Sequence, residues 1–392
     1  MPLTTDTTRH IKRFYRPTLG SDPELFVATN GQVVGAEKVI PKEGLFTPSS
    51  SKSSIVLDGV QLELHPSPNK CRGLIANDFK AIFMKLKRQL DSKGATASFE
   101  PLIKMDKHEL SKLSEAARRL GCAPSKNIAN PTATIKVPKN FRTRSAGGHI
   151  HVQLHGAGYN YYPYNLPILP KNIETLIKLY DCLPGLSSVL IDRDPHNAER
   201  RKLYGRASEY RDHTQGAAGG MGVEYRVLSN YWLRSYQLMS FVHGMIRQAT
   251  NIYFAQWPTW NTTAWNAPQE LLSRVDIEKV WEAINKNSYP LALKQWEGVE
   301  SFIDEFCVDD QSGLSSGPSL PNFRFFAKMV KEKGLSYWFP EDPMTHWCNI
   351  PEGHQFNDDG FAGWESFIIN LVTNVKSNVQ VDDVINRLKG AA

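Results

Sequence analysis

The chain has 392 residues, 41% of them hydrophobic and 10% aromatic, which excludes a disordered chain and supplies a large core. Its formal net charge of +6 is spread along the sequence, so it favours anionic ligands such as nucleotides without pointing to nucleic acid. No apolar run approaches the roughly 20 residues of a membrane span, and five scattered Cys without a CxxC argue against a disulfide frame or a zinc knuckle.

Residues 1–17 read as a basic, flexible tail without a signal-peptide core, so a cytoplasmic protein is expected. "DPELFVATNGQVVG" predicts a hairpin turning on Asn30-Gly31, the pair that suits a type I′ turn. After a Ser-rich loop at 47–54, "IVLDGVQLELHP" (55–66) alternates like one strand with a break or bulge at Asp58-Gly59. "NDFKAIFMKLKRQLDSKG" (77–94) carries the stripe of an amphipathic helix, with Asn77 or Asp78 to cap its start and Gly94 its end. Strands are predicted over 146–155 and 222–228, and a helix over 172–182 between them. Helical, Trp-rich sequence follows, with Pro-Gly punctuation near 313–322. The expected organisation is a tail (1–17), a mixed catalytic core (18–235) and a mainly helical region (236–392) packed on that core. The expected class is α+β, built on an antiparallel sheet with one solvated face.

Residues two apart on a strand share a face. Val60, Leu62 and Leu64 therefore oppose Gln61, Glu63 and His65. Ile150, Val152 and Leu154 oppose His149, His151, Gln153 and His155. Val223, Tyr225 and Val227 oppose Glu224 and Arg226, while Asp22 and Glu24 lie together. Glu63 or Glu224 alone is also what an ordinary solvent-facing strand carries. Four such faces together point to a divalent cation, Mg²⁺ or Mn²⁺ before zinc. Gly147-Gly148 implies a close backbone approach beside His149 and His151, whereas His155, at the strand end, is expected to be structural or exposed. The segment 191–226 adds Arg193, Arg200, Arg201, Arg206, Arg211 and Arg226; Arg forks bind phosphate and carboxylate, although a solvated charged helix accounts equally well for Arg193 and Arg200. Gly216, Gly219, Gly220 and Gly222 suggest a loop able to close over a ligand. The chain has no P-loop, GxSxG elbow or HExxH pair.

The succession "GSDPELFV", "DGVQLELHP", "GCAPSKN", "GGHIHV", "RRKLYGRASEYR" and "GVEYRVLSN", over about residues 19–232, resembles the phage-type COOH–NH2 ligases, type 2, of the glutamine synthetase and glutamate–cysteine ligase superfamily. The resemblance implies a curved antiparallel sheet of the glutamine synthetase/glutamate–cysteine ligase catalytic type with flanking helices. It also implies ATP with Mg²⁺, Mn²⁺ being able to replace it, and an amide bond formed through an acyl phosphate. Asp22, Glu24, Glu63, His149 and Glu224 would hold the metal. His151, Arg201 and Arg226 would contact the nucleotide, and Arg226, Arg206 and Arg211 would serve catalysis. The substrates would be small-molecule or peptide carboxylates and amines, in the host cytoplasm for a phage-encoded chain. Neither a membrane nor direct nucleic-acid binding is expected, while a modified nucleobase as substrate and a homo-oligomer are left open. Two departures stand out: the first-strand pair begins with Asp22 rather than Glu, and Ser125-Lys126 replaces an Asp followed by an aromatic. A guanidino-kinase-like phosphotransferase, a zinc-dependent metallohydrolase and a non-enzymatic binding protein are the competing readings.

Overall fold

A computed structural model of the protein describes residues 17–46, 53–69, 72–118, 125–131, 141–153, 170–215, 220–254, 256, 266–306, 331 and 340–349. The basic tail to residue 16, most of the Ser-rich loop, His155, Gly216, Gly219, Trp257, Trp260, Trp265 and the Pro-Gly stretch near 313–322 lie outside them.

The strands are β1 (Thr18–Ser21), β2 (Glu24–Thr29), β3 (Gln32–Val34), β4 (Leu45–Phe46), β5 (Ser54–Asp58), β6 (Gln61–His65) and β7 (Ala95–Ser98). They continue with β8 (Leu102–Lys104), β9 (Lys126–Asn127), β10 (Thr143–Ser145), β11 (Ile150–Gln153), β12 (Glu209–Gln215) and β13 (Gly220–Tyr225). The helices begin with α1 (Arg72–Ser92), α2 (Lys107–Ser111), α3 (Glu115–Arg118), α4 (Pro170–Tyr180), α5 (Leu186–Ile191) and α6 (His196–Leu203). After β13 come α7 (Tyr236–Phe254), α8 (Ala267–Leu272), α9 (Ile277–Lys286), α10 (Tyr289–Phe306) and α11 (Pro343–Cys348). Among the described residues, two antiparallel sheets dominate. One runs β1-β11-β13-β12-β9; the other runs β3-β2-β6-β5-β4, with β7 also on β2. A short β10-β8 pair stands apart. The architecture is therefore mixed α and β with antiparallel sheets.

The β2–β3 hairpin turns where expected, with Asn30 at φ 51° and Gly31 at φ 74°, the positive pair of a type I′ turn. The 55–66 stretch is a second hairpin and not one bulged strand. Gly59, at φ 58°, reverses the chain, and fully buried Val60 packs in a cluster with Phe26, Met105 and Ala146. Glu63 consequently sits across from Val56 as well as from Glu24. Helix α1 buries the expected stripe of Phe79, Ile82, Phe83, Leu86 and Leu90, but it begins at Arg72, ahead of the anticipated caps. Buried Arg72 donates to Ser240 O at 2.8 Å, and Asp78 accepts from Ser67 N at 2.9 Å. Both side chains thus serve distant segments, which a local capping signal does not reveal.

Residues of α7, α9 and α10 share one buried cluster with the sheets, and Trp232, Trp296 and Trp347 are fully buried. Between α4 and α5 the chain passes through a π-turn, Asp181–Gly185, containing Pro184, which lacks an N–H for an α-helical bond. The Asp181 carboxylate accepts from Ser208 Oγ (2.6 Å), Ser208 N (3.2 Å), Tyr225 OH (2.8 Å) and Trp281 Nε1 (2.9 Å). One acid thereby ties this turn to β13, α9 and the approach to β12.

Burial pushes Asp181 up from 3.8 to about 6, against these four donors. Between those values the unfolded chain has released a proton that the folded chain keeps, so stability falls as pH rises. Relative to Asp181→Asn, the wild type is expected to lose about 2 kcal/mol of unfolding free energy from pH 4 to pH 7. Urea unfolding midpoints of the two proteins across that range measure it, and a constant difference between them would refute it.

Candidate active site

Strand register builds the site. His151 in β11 lies opposite Gly20 in β1 and Glu224 in β13, and Glu224 lies opposite Arg211 in β12. Four strands thus bring Gly20, His151, Glu224 and Arg211 abreast, while Ile150, Val152 and Val223 point into the core. The polar face is not solvated as expected. Glu224 is 0% exposed, Arg226 1%, His149 2% and Glu24 3%. Tyr204 covers part of it, with its hydroxyl 2.7 Å from His149 Nε2. An opening remains where Asp22, Glu63, His65, His151 and Arg211 line a cavity of about 470 Å³.

His149 lies just before β11, on a segment fastened by its neighbours. Gly147 O accepts from Glu24 N at 2.9 Å, and Gly147 N donates back to the Glu24 carboxylate at 2.5 Å. Gly148 N donates to Leu228 O and Trp232 Nε1 donates to Gly148 O, each at 3.0 Å. A Cβ on Gly147 would run into the His149 ring, and one on Gly148 into Ser229 O and Trp232. Close approach of the chain to itself therefore requires glycine at both positions.

Asp22 Oδ1, His149 Nδ1 and Glu224 Oε1 converge. The imidazole nitrogen is 3.1 Å from the first oxygen and 3.4 Å from the second. Asp22 Oδ1 and His149 Nδ1 are buried, and neither makes an aligned hydrogen bond. Such orphaned atoms at such spacing suit a bound cation, because adjacent ligands at Mg²⁺ bond lengths stand about 3 Å apart. Two carboxylates and one imidazole form a hard to borderline donor set that suits Mg²⁺ or Mn²⁺.

The charges are arranged consistently. Burial alone would raise Asp22, but the fields of His149 and His151 hold it well below the usual carboxylate range. His151 Nε2 is 3.0 Å from Asp22 Oδ2, and this contact raises the imidazole despite the opposing effect of burial. Glu224 is held low against burial by His149 and by Arg226, whose Nη1 donates to Glu224 Oε1 at 2.5 Å. Arg211 Nη1 lies 3.3 Å from Glu224 Oε2. Glu24 is raised well above its usual value, chiefly by burial. Glu63 is raised by burial too, and its Oε2 is 3.2 Å from His65 Nε2.

Of the residues singled out in the sequence, Asp22, His149, Glu224, His151, Arg211 and Arg226 come together. Asp22, the shorter acid of the first pair, joins the converging atoms. Glu24 does not; its Oε2 accepts from Gly147 N and from Gln61 Nε2 at 2.7 Å. Glu63 stands in the cavity wall. Arg206 pairs with Glu209 at 3.0 Å. Arg201, 2% exposed, donates to Asn287 Oδ1 at 2.6 Å and to Ser188 Oγ at 3.3 Å. Neither lines the cavity. Lys126 pairs with Asp212 at 2.7 Å, and Gly220 and Gly222 lie within β13, paired to β12. Tyr204 and Asp58 were not singled out. Asp58, raised by burial, feels the fields of His149, Asp22 and Arg226. Its one sequence signal was the Asp-Gly turn, and that of Tyr204 its place in the Arg-rich segment.

No protein-family model matches the chain, and no curated protein does. Among solved structures it is similar to GmaS in its ligand-free apo form, with a TM-score of 0.37 and 11% identity, over 80% of this chain and 69% of that one. A bifunctional glutathione synthetase from Pasteurella multocida aligns with a TM-score of 0.35 and 11% identity, over 81% of this chain and 55% of that one. A structure described as a novel glutamine synthase homolog aligns with a TM-score of 0.33 and 12% identity, over 80% and 71%.

Proposed function

We propose that the chain is an ATP- and Mg²⁺-dependent carboxylate–amine ligase that forms an amide through an acyl phosphate, as the phage-type COOH–NH2 ligases it resembles in sequence do. The observation that carries this reading is the convergence of Asp22 Oδ1, His149 Nδ1 and Glu224 Oε1 beside Arg211 and Arg226, with Asp22 and Arg211 also lining the cavity. Asp22, His149 and Glu224 would hold the cation, which offsets the repulsion between a carboxylate nucleophile and the γ-phosphate. Arg211, at the cavity wall, presents a guanidinium to the oxygens of the transferred phosphoryl group. Buried Arg226 fixes the orientation of Glu224. His151, braced on Asp22, faces the same opening as a phosphate contact. Small-molecule or peptide carboxylates and amines are the proposed substrates. A cytoplasmic location is proposed with them; among the described residues no helix is long and apolar enough to cross a membrane.

ADP release with Mg·ATP, screened against amino acids, polyamines and peptidoglycan fragments, tests the reading. An acid–amine pair is expected to release ADP and phosphate in step with amide. ADP matched by a stable phosphorylated substrate would identify a phosphotransferase instead, and turnover without ATP a hydrolase.

A further inference from the structure

Tyr204 stands at a junction of side chains whose hydrogen-bonding roles constrain one another. Its hydroxyl oxygen is 2.7 Å from His149 Nε2 and accepts an N–H from Arg226. Arg226 also donates to Glu224 Oε1, which lies 3.4 Å from His149 Nδ1. The circuit therefore returns to the imidazole it left. The two rings meet edge to face, with centroids 5.4 Å apart, and at 2% exposure His149 has little access to water.

Resting on the metal site proposed above, we infer that Tyr204 is a positioning residue that decides which nitrogen of His149 carries the proton, and thereby makes Nδ1 a ligand. A guanidinium only donates, so Arg226 takes one acceptor position on the tyrosine oxygen in every state. Two arrangements of the 2.7 Å contact are then available to a neutral imidazole. In the first, Tyr204 O–H donates to Nε2, and the ring proton sits on Nδ1 between the carboxylates of Asp22 and Glu224. In the second, Nε2–H donates to Tyr204, and the Nδ1 lone pair faces Asp22 Oδ1 and Glu224 Oε1. Only the second admits a cation. Passing between them moves the ring proton from Nδ1 to Nε2 with no net gain or loss, while the tyrosine hydroxyl changes from donor to acceptor.

A cation selects the second arrangement, because the Nδ1 lone pair, 3.1 Å from Asp22 Oδ1 and 3.4 Å from Glu224 Oε1, needs a positive charge between the three atoms. Hydrogen bonding at the far nitrogen is also the general means by which proteins select the ligating nitrogen of a histidine. Tyr204 supplies that bond here from the loop between α6 and β12, and Glu209 steadies this loop by accepting from Gly205 N at 2.9 Å and Arg206 Nε at 3.0 Å.

Calorimetric titration of the wild type and Tyr204→Phe with Mg²⁺ and Mn²⁺ tests the inference, together with NMR of ¹⁵N-histidine-labelled protein in Mg²⁺. His149→Gln identifies the His149 signals. Phenylalanine keeps the ring but leaves Nε2–H buried without its acceptor, so cation affinity is expected to fall about 10- to 100-fold. In the wild type with Mg²⁺, the His149 proton is expected on Nε2. A proton on Nδ1 in that state overturns the inference whatever the variant does, including a variant that fails to fold. Wild-type affinity in Tyr204→Phe overturns it as well. A wild type that binds neither cation overturns the metal site itself, a result distinct from a bound cation indifferent to Tyr204.

Discussion

Glu224→Gln is expected to keep the fold and abolish the stabilisation that Mg·ATP confers. In the wild type, Mg·ATP should raise the melting temperature; a ligand present at 100 times its Kd adds about 2.7 kcal/mol. Glutamine keeps the volume of the side chain and one acceptor for Arg226, but it removes the charge that His149, Arg211 and Arg226 surround. Glu224→Ala should lose more. It leaves the fully buried Arg226 guanidinium without its closest carboxylate, and breaking a buried pair in this way costs roughly 3–5 kcal/mol. Melting curves of the three proteins with and without Mg·ATP separate the two effects. An undiminished shift in Glu224→Gln would remove Glu224 from the metal site, and no shift in the wild type would sink the ligase reading.

Arg200 is expected to produce the largest loss of stability. It is 0% exposed, and its guanidinium donates to Ala146 O (3.0 Å), Val227 O (3.1 Å) and Leu228 O (2.8 Å). Those carbonyls belong to the segment leading into His149 and to the segment leaving Glu224 and Arg226, so one side chain clamps the two halves of the site. Arg200→Ala removes three buried hydrogen bonds, of whose acceptors Leu228 O keeps a donor in Gly148 N, and opens a cavity, for a loss of roughly 4 kcal/mol or more. Arg200→Lys should recover little, because a single ammonium does not reproduce the planar fork. Urea denaturation measures both. A midpoint within about 0.5 kcal/mol of wild type, the range of surface substitutions, would show that the clamp contributes nothing.

Much of the site was legible before the fold was known. Period-two alternation placed His151 and Glu224 on polar faces, and the register then set them directly opposite each other. Alternation also grouped Glu224 with Arg226, which do touch, although Arg226 falls just beyond the end of β13. The same rule treated Asp22 and Glu24 alike. They part because Glu24 is drawn to Gly147 and Gln61, while Asp22, one residue before Pro23 and outside β2, turns to the two histidines. The solvated-helix account of Arg200 fails for a similar reason. Charge says what a side chain prefers, but it does not say that three carbonyls from distant segments await it.

By itself the sequence determined what depends on neighbours along the chain: the Asn30-Gly31 turn, the buried stripe of α1 and the alternating faces of β6, β11 and β13. These follow from backbone sterics and from the helical and strand repeats, which act over a few residues. Only the tertiary structure decided which polar groups meet, that the glycines at 147 and 148 accommodate the chain's own backbone and His149, and that Tyr204 stands behind His149. Those outcomes depend on strand register and packing between segments tens to hundreds of residues apart, for which the sequence carries no periodic signal.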